Sequence, residues 1–143
     1  MKPPLRLVRS ATIHIPNTGS VRDRAGGHLF IVLTRTCSNG QNLLVPVCTD
    51  RGRADRTCLL GVGDHPFIRS PSFIMYAHLA LYDAQVLHDG VKSNAFGAEG
   101  LLEERIFARV CMGVSQSPHS APRYQRYYCE QTQTKPNTGK APD

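Results

Sequence analysis

Apolar residues over the first two-thirds of the chain come in runs too short for helices, and several alternate with polar neighbours. Ala11-Thr12-Ile13-His14-Ile15 has the period of two expected of a strand, within a stretch Leu5–Ile15 that ends at the turn cluster Pro16-Asn17-Thr18-Gly19. His28-Leu29-Phe30-Ile31-Val32-Leu33-Thr34 is continuous and rich in β-formers, which predicts a buried strand. Asn39-Gly40 then supplies a hairpin turn, and Asn42–Thr49 is the returning strand. Pro46 has no N–H to give a ladder, so this strand is expected to be an edge or to bulge there. Thr57–Leu60 predicts a short strand ending at Gly61-Val62-Gly63, and Ser72–Ala77 predicts another. Leu79–Leu87 joins two turn regions, ends at His88-Asp89-Gly90 and is read as a strand. Short strands at this spacing, linked by Gly- and Asn-rich turns, predict a compact β-barrel.

The period changes in the last third. From Glu99 to Met112 the apolar Leu101, Leu102, Ile106, Val110 and Cys111 fall near helical spacing, with Glu103, Glu104, Arg105 and Arg109 on the other face. Acidic residues lead and basic ones follow, which suits the helix dipole, and Gly113 is read as the stop. Ser115–Pro122 reads as a loop and Arg123–Cys129 as a short second helix. In Gln131–Asp143 the one apolar residue is Ala141, so that stretch is expected to be a disordered tail. The organisation expected is a mainly β domain over residues 1–114 with its packed helix at about 99–113, a loop and short helix over 115–130, and a tail over 131–143.

Charge narrows the partner. The 143 residues hold 17 Lys and Arg against 11 Asp and Glu, and 41 % hydrophobic content excludes a wholly disordered chain. Residues 1–56 carry nine basic and three acidic groups, while residues 57–143 balance at eight and eight. The surplus centres on two turn-rich stretches, Val21–Gly27 with Arg22 and Arg24, and Arg51–Arg56 with Arg51, Arg53 and Arg56. Together they suggest an anion-facing rim, with nucleic acid as the first partner to test. No apolar run approaches the roughly 18 residues of a membrane span, and Met1-Lys2-Pro3-Pro4-Leu5-Arg6 does not open a signal peptide. A cytoplasmic chain with reduced thiols is therefore expected.

The five cysteines, at 37, 48, 58, 111 and 129, form no C-x-x-C pair. Cys48, Cys58 and Cys111 lie in apolar segments and are expected to pack as small hydrophobes. Cys58 with His65, joined by His28 or His78, is the nearest approach to a metal set. It lacks paired-ligand spacing, so neither a metal nor another cofactor is expected.

The two strands ending at Thr34 and at Thr49, followed by Asp64-His65-Pro66-Phe67-Ile68 and Ser72-Phe73-Ile74-Met75-Tyr76, resemble the PemK/MazF-type toxins of type II toxin–antitoxin systems. The resemblance spans about residues 25–90 and, more loosely, the helix after them. It implies an SH3-like β-barrel with a C-terminal helical segment, usually a homodimer, that cuts RNA at short sequences and is silenced by an antitoxin protein. In such toxins a basic loop runs into an Arg-Pro pair whose Arg assists cleavage; the matching place here reads Gly27-His28-Leu29, which puts His28 there. The family's catalytic Thr or Ser corresponds to Thr49, or to Cys48 if the match shifts by one. The Gly-Asp and aromatic residue usual in the family's first strand are absent from Leu5–Ile15.

Metal-free RNA cleavage needs a base, an acid and positive charge on the phosphate in flight. Histidine suits proton transfer near neutral pH. His28, close to Arg22 and Arg24 in sequence, fits that role, and its bland alternative is a strand-end histidine bonded to a turn. His65, held extended by Pro66, is either a second acid or base or part of an Asp64-His65-Pro66 turn lock, the latter favoured. Thr49 can donate to a phosphate oxygen, and Arg51, Arg53 and Arg56 can clamp phosphates. Tyr124, Tyr127 and Tyr128, interleaved with Arg123 and Arg126, either stack on bases or seal a helix against the barrel, and sealing is favoured. The activity expected is that of a metal-independent endoribonuclease acting on single-stranded RNA. The alternative is a non-catalytic barrel that binds nucleic acid or a protein partner, which the missing Arg-Pro pair favours.

Overall fold

The alternation of the strands gives one sheet two apolar faces, each covered by helices. The computed structural model describes residues 5–16 and 27–133. Its strands are β1 (Ala11–Ile15), β2 (His28–Val32), β3 (Gln41–Thr49), β4 (Leu59–Leu60), β5 (Ser72–Ile74), β6 (Ala80–Asp83) and β7 (Gly97–Leu101). Its helices are α1 (Ala84–Lys92), α2 (Glu104–Gln116) and α3 (Pro122–Thr132), and Tyr76–His78 forms one tight helical turn. All pairings are antiparallel, in the order β4-β5-β3-β2-β1-β7, with β6 also paired to β3. The protein is mainly β with helices at its C-terminal side, as the sequence predicts. Among the described residues no strand pairing joins β4 to β7, so the barrel is not closed by its ladder.

Leu29 and Ile31 of β2 and Leu43, Val45 and Val47 of β3 face an inner core completed by Tyr76, Leu102, Val110 and Val114. Val32 and Leu44, from the opposite pleat, join Ala11, Ile13 and Leu87 in an outer layer under α1. The favoured sealing role of the α3 tyrosines is what the structure shows, since Tyr124, Tyr127 and Tyr128 pack against the inner core. Arg9 fastens both late helices to the sheet. Its guanidinium donates to Leu33 O at 2.9 Å and to Tyr128 Oη at 2.8 Å, and lies 5.2 Å from the Phe107 ring centre. All five cysteines are free, with Cys48 and Cys58 buried and Cys111 half-buried. Among the described residues no helix is long and apolar enough to cross a membrane.

Several expectations are corrected. β3 is not an edge strand at Pro46, because β2 lies on one side and β6 and then β5 on the other. The Pro46 carbonyl accepts from Met75 N at 3.0 Å, between the residues paired to β6 and those paired to β5. In an antiparallel strand a residue's N and O point to the same side, so the missing N–H faces the handover between partners and costs no ladder bond.

Of Leu79–Leu87 only Ala80–Asp83 is strand, and the carboxylate of Asp83 caps α1 by accepting from Gln85 N at 2.8 Å and Val86 N at 3.3 Å. His88-Asp89-Gly90 is part of that helix, and Gly90 lies so close to the Phe96 ring that any Cβ would collide with it. Glu99 belongs to β7, and α2 starts after Glu103, whose carboxylate accepts from Arg105 N at 2.7 Å. Gly113 does not stop α2. It makes room for the buried Tyr76 ring, whose hydroxyl donates to Val110 O at 2.6 Å. Gln131 and Thr132, expected in the tail, complete α3, and residues 134–143 lie outside the described residues.

Candidate active site

A bulge in β7 builds the back wall of the site. Ile13 pairs with Ala98 and Ala11 with Leu101, so β7 carries one residue more than β1 opposite Thr12. Gly100 takes up the bend at φ +82°, a conformation that side chains other than glycine's resist. Two carbonyls at the bulge are then captured by side chains. Thr12 Oγ1 donates to Gly100 O at 2.8 Å, and the ring of His65 reaches Glu99 O at 3.0 Å and Thr12 Oγ1 at 3.1 Å through Nε2. Phe67 N–H donates to Nδ1 of the same ring at 3.0 Å, so Nδ1 is the acceptor and Nε2 carries the proton. His65 is 4 % exposed. Both of its nitrogens are engaged by the protein, in the geometry of a lock, and the ring does not line the neighbouring cavity.

That lock joins the segment between β4 and β5 to β7 and β1, spanning the opening that strand pairing leaves. The segment has two faces: His65 and Ile68 are buried, while Pro66, Phe67 and Arg69 are exposed. Its outer face forms one wall of an open cavity of about 640 Å³. The opposite wall is the end of the β2–β3 ladder. Leu29 pairs with Val47, so the first residue of β2 and the last of β3 emerge at the same rim. His28 and Thr49 therefore line one cavity, with Arg69, Ser70, Ser72 and Glu99 around them. Thr49 is exposed at the strand end, facing Ser72 across the β3–β5 pair.

The basic residues are placed differently. Arg51, Arg53 and Arg56 are exposed on the loop after Thr49 and are not among the residues lining the cavity. Arg56 pairs with Asp50 at 3.1 Å, an exposed contact of little energetic weight. Arg22 and Arg24 lie outside the described residues; Gly27, which follows them, lines the cavity. Asp55 ties the basic loop to the α2–α3 turn by accepting from Ser117 Oγ at 2.6 Å and from Thr57 N and Oγ1 at 2.9 and 2.6 Å. Burial alone would raise its carboxyl, but these bonds outweigh burial and hold the group below the ordinary aspartate value.

Arg69 and Glu99 are the two charged members of the cavity that sequence reasoning missed. Arg69 sits in a polar run, Arg69-Ser70-Pro71-Ser72, with no motif to mark it, and Glu99 is masked by the helical pattern that follows it. With them the residues lining the cavity include a histidine, a glutamate, an arginine and a threonine, the types of side chain that move protons beside an anion. Among the described residues no group of three His, Cys, Asp or Glu side chains could hold a metal ion; Cys58 and His65 form no such group with His28 or His78. No protein-family model matches the chain, and no curated protein is significantly similar to it.

Proposed function

We propose that the protein is a toxin-like, metal-independent endoribonuclease that cuts single-stranded RNA in the cytoplasm at the His28–Thr49 cavity and is held in check by an antitoxin. The observation that carries this reading is the convergence of His28, Thr49, Arg69 and Glu99 on one open cavity. In the reaction, a 2′-hydroxyl loses its proton and its oxygen attacks the adjacent phosphorus. The bond to the 5′-oxygen breaks, and that oxygen takes up a proton. The products are a 2′,3′-cyclic phosphate and a 5′-hydroxyl.

One of Glu99 and His28 takes the 2′-hydroxyl proton as base and the other gives a proton to the leaving 5′-oxygen as acid, while Arg69 offsets the charge gathering on the phosphorus oxygens and Thr49 donates to one of them. Arg22, Arg24, Arg51, Arg53 and Arg56 hold flanking phosphates, which makes binding salt-dependent. His28 takes the place that an Arg holds in the toxins the sequence resembles, and a histidine there adds proton transfer that a guanidinium cannot perform.

The test is cleavage of a long RNA by the purified protein in EDTA, with the new ends analysed. Cleavage to cyclic phosphate ends is expected, falling about 10²–10⁴-fold in His28→Ala. Intact RNA, or a His28→Ala variant as fast as wild type, sinks the reading. Salt-sensitive binding without cleavage would instead leave a nucleic-acid-binding barrel.

A further inference from the structure

A second cavity, of about 440 Å³, shares His28 with the first. Phe30 lines it from two residues further along β2, on the same face of the strand as His28. Tyr82 of β6 meets Phe30 edge to face with ring centres 5.7 Å apart. From the first turn of α3 come Tyr124 and Arg123, the guanidinium carbon lying 4.8 Å from the centre of the tyrosine ring. His78 and Arg123 are exposed. The aromatic walls are held from behind, because Phe30 and Tyr82 pack into the outer apolar layer and Tyr124 packs against the inner core.

Closure of the sheet and the chemistry at Thr49 require neither Arg123 nor His78, so their presence beside three aromatic rings needs another account. An apolar side chain would use the rings and leave the cationic groups unused, and an acidic peptide would do the reverse. A nucleotide uses both: bases stack on aromatic and guanidinium planes, and arginine binds the phosphate. We infer that this cavity takes the nucleotide next to the scissile bond, its base stacking on the Arg123 guanidinium that Tyr124 backs and its phosphate held by the N–H groups of the same guanidinium, so that the strand crosses His28 from one cavity to the other. The inference rests on RNA occupying the first cavity, and it makes Tyr124 and Arg123 determinants of substrate preference.

The probe is a fluorescein-labelled hexaribonucleotide carrying 2′-O-methyl groups throughout, which can be bound but not cut. Tyr124→Ala is expected to weaken its binding about tenfold, and Tyr124→Phe to stay within about twofold of wild type because the ring that backs Arg123 is kept. Arg123→Glu, an exposed change that leaves the core intact, is expected to weaken binding at least as much and to lower the slope of affinity against salt. Cleavage of RNA with unaltered hexamer affinity in Tyr124→Ala and Arg123→Glu overturns the second cavity and spares the ribonuclease reading. Tyr124-dependent binding by a protein that cuts nothing keeps the cavity and removes the catalysis. No hexamer binding by the wild type overturns both and leaves the cavity to an occupant that is not nucleic acid.

Discussion

His65 and His28 both sit where a loop meets the same sheet, yet their surroundings divide the molecule into a fixed side and a working side. His65 is 4 % exposed and joins three separate parts of the chain through its two nitrogens, Nδ1 accepting from Phe67 and Nε2 reaching Glu99 and Thr12. His28 is half-buried at the head of β2 and lines two cavities. His65 serves the fold from a buried position, whereas His28 stands at a rim, beside the cavities where the proposed substrate would lie. The two sides are also linked, because the segment locked by His65 carries Arg69 on its outer face. The lock therefore builds the wall of the cavity it does not enter.

The largest effect expected is on His65. His65→Ala leaves the Phe67 N–H and the Glu99 carbonyl without their partners and opens a void behind them, at a cost of about 3 kcal/mol. For a chain of this size that lowers the melting temperature by about 10 °C. His28→Ala, at the rim, is expected to change stability by about 0.5 kcal/mol or less. Urea unfolding of the two variants side by side checks the contrast. Equal stabilities would show that the sheet needs no lock.

The next effect breaks the fixed side at a point away from the cavity. Gly113→Ala sets a methyl group against the Tyr76 ring. Overpacking of this kind costs about 1–3 kcal/mol, while replacing a mid-helix glycine by alanine returns at most about 1 kcal/mol. A net loss of about 1–2 kcal/mol is expected, with the proposed cleavage of RNA, per folded molecule, unchanged. Because the clash is with the far end of the tyrosine ring, Tyr76→Phe should relieve part of it, and the double variant should lose less than the sum of the single changes. Strict additivity would assign the loss to something other than this contact.

Gly113 and Gly90 also show which parts of the fold were legible in the sequence. Both sit inside helices, although each reads locally as a stop, because each leaves space for an aromatic ring supplied from elsewhere, Tyr76 in one case and Phe96 in the other. No window of sequence around a glycine distinguishes a break from such a gap. β2, β3 and their Asn39-Gly40 turn were legible because a hairpin is a local contract between neighbouring segments. The same hairpin made half of the site legible, since antiparallel pairing must bring the head of β2 to the end of β3, and so His28 to Thr49. Arg69 and Glu99 were not legible. They reach the cavity through the bulge in β7 and the His65 lock, which join residues far apart in sequence.

The smallest effect lies at the seam between the two sides, where Asp55 ties the loop of Arg51, Arg53 and Arg56 to the α2–α3 turn. Its carboxyl is held below the ordinary value because the bonds from Ser117 and Thr57 outweigh the effect of burial. A group whose value is lower folded than unfolded binds fewer protons in the folded state. Its stabilisation is therefore complete above the unfolded value, about 3.9, and fades as pH falls through the folded one. Asp55→Asn should accordingly be less stable than wild type at pH 7, by less than about 1 kcal/mol once solvent screening is counted. The gap between the two proteins should hold down to about pH 5 and narrow steadily below it, because protonation then removes from the wild-type carboxyl the negative charge that the variant already lacks. Urea unfolding of both proteins from pH 7 to pH 3 measures that gap. A gap that stays constant across the range would mean that the charge of Asp55 contributes nothing to the seam, leaving Ser117 and Thr57 bound to it as neutral partners.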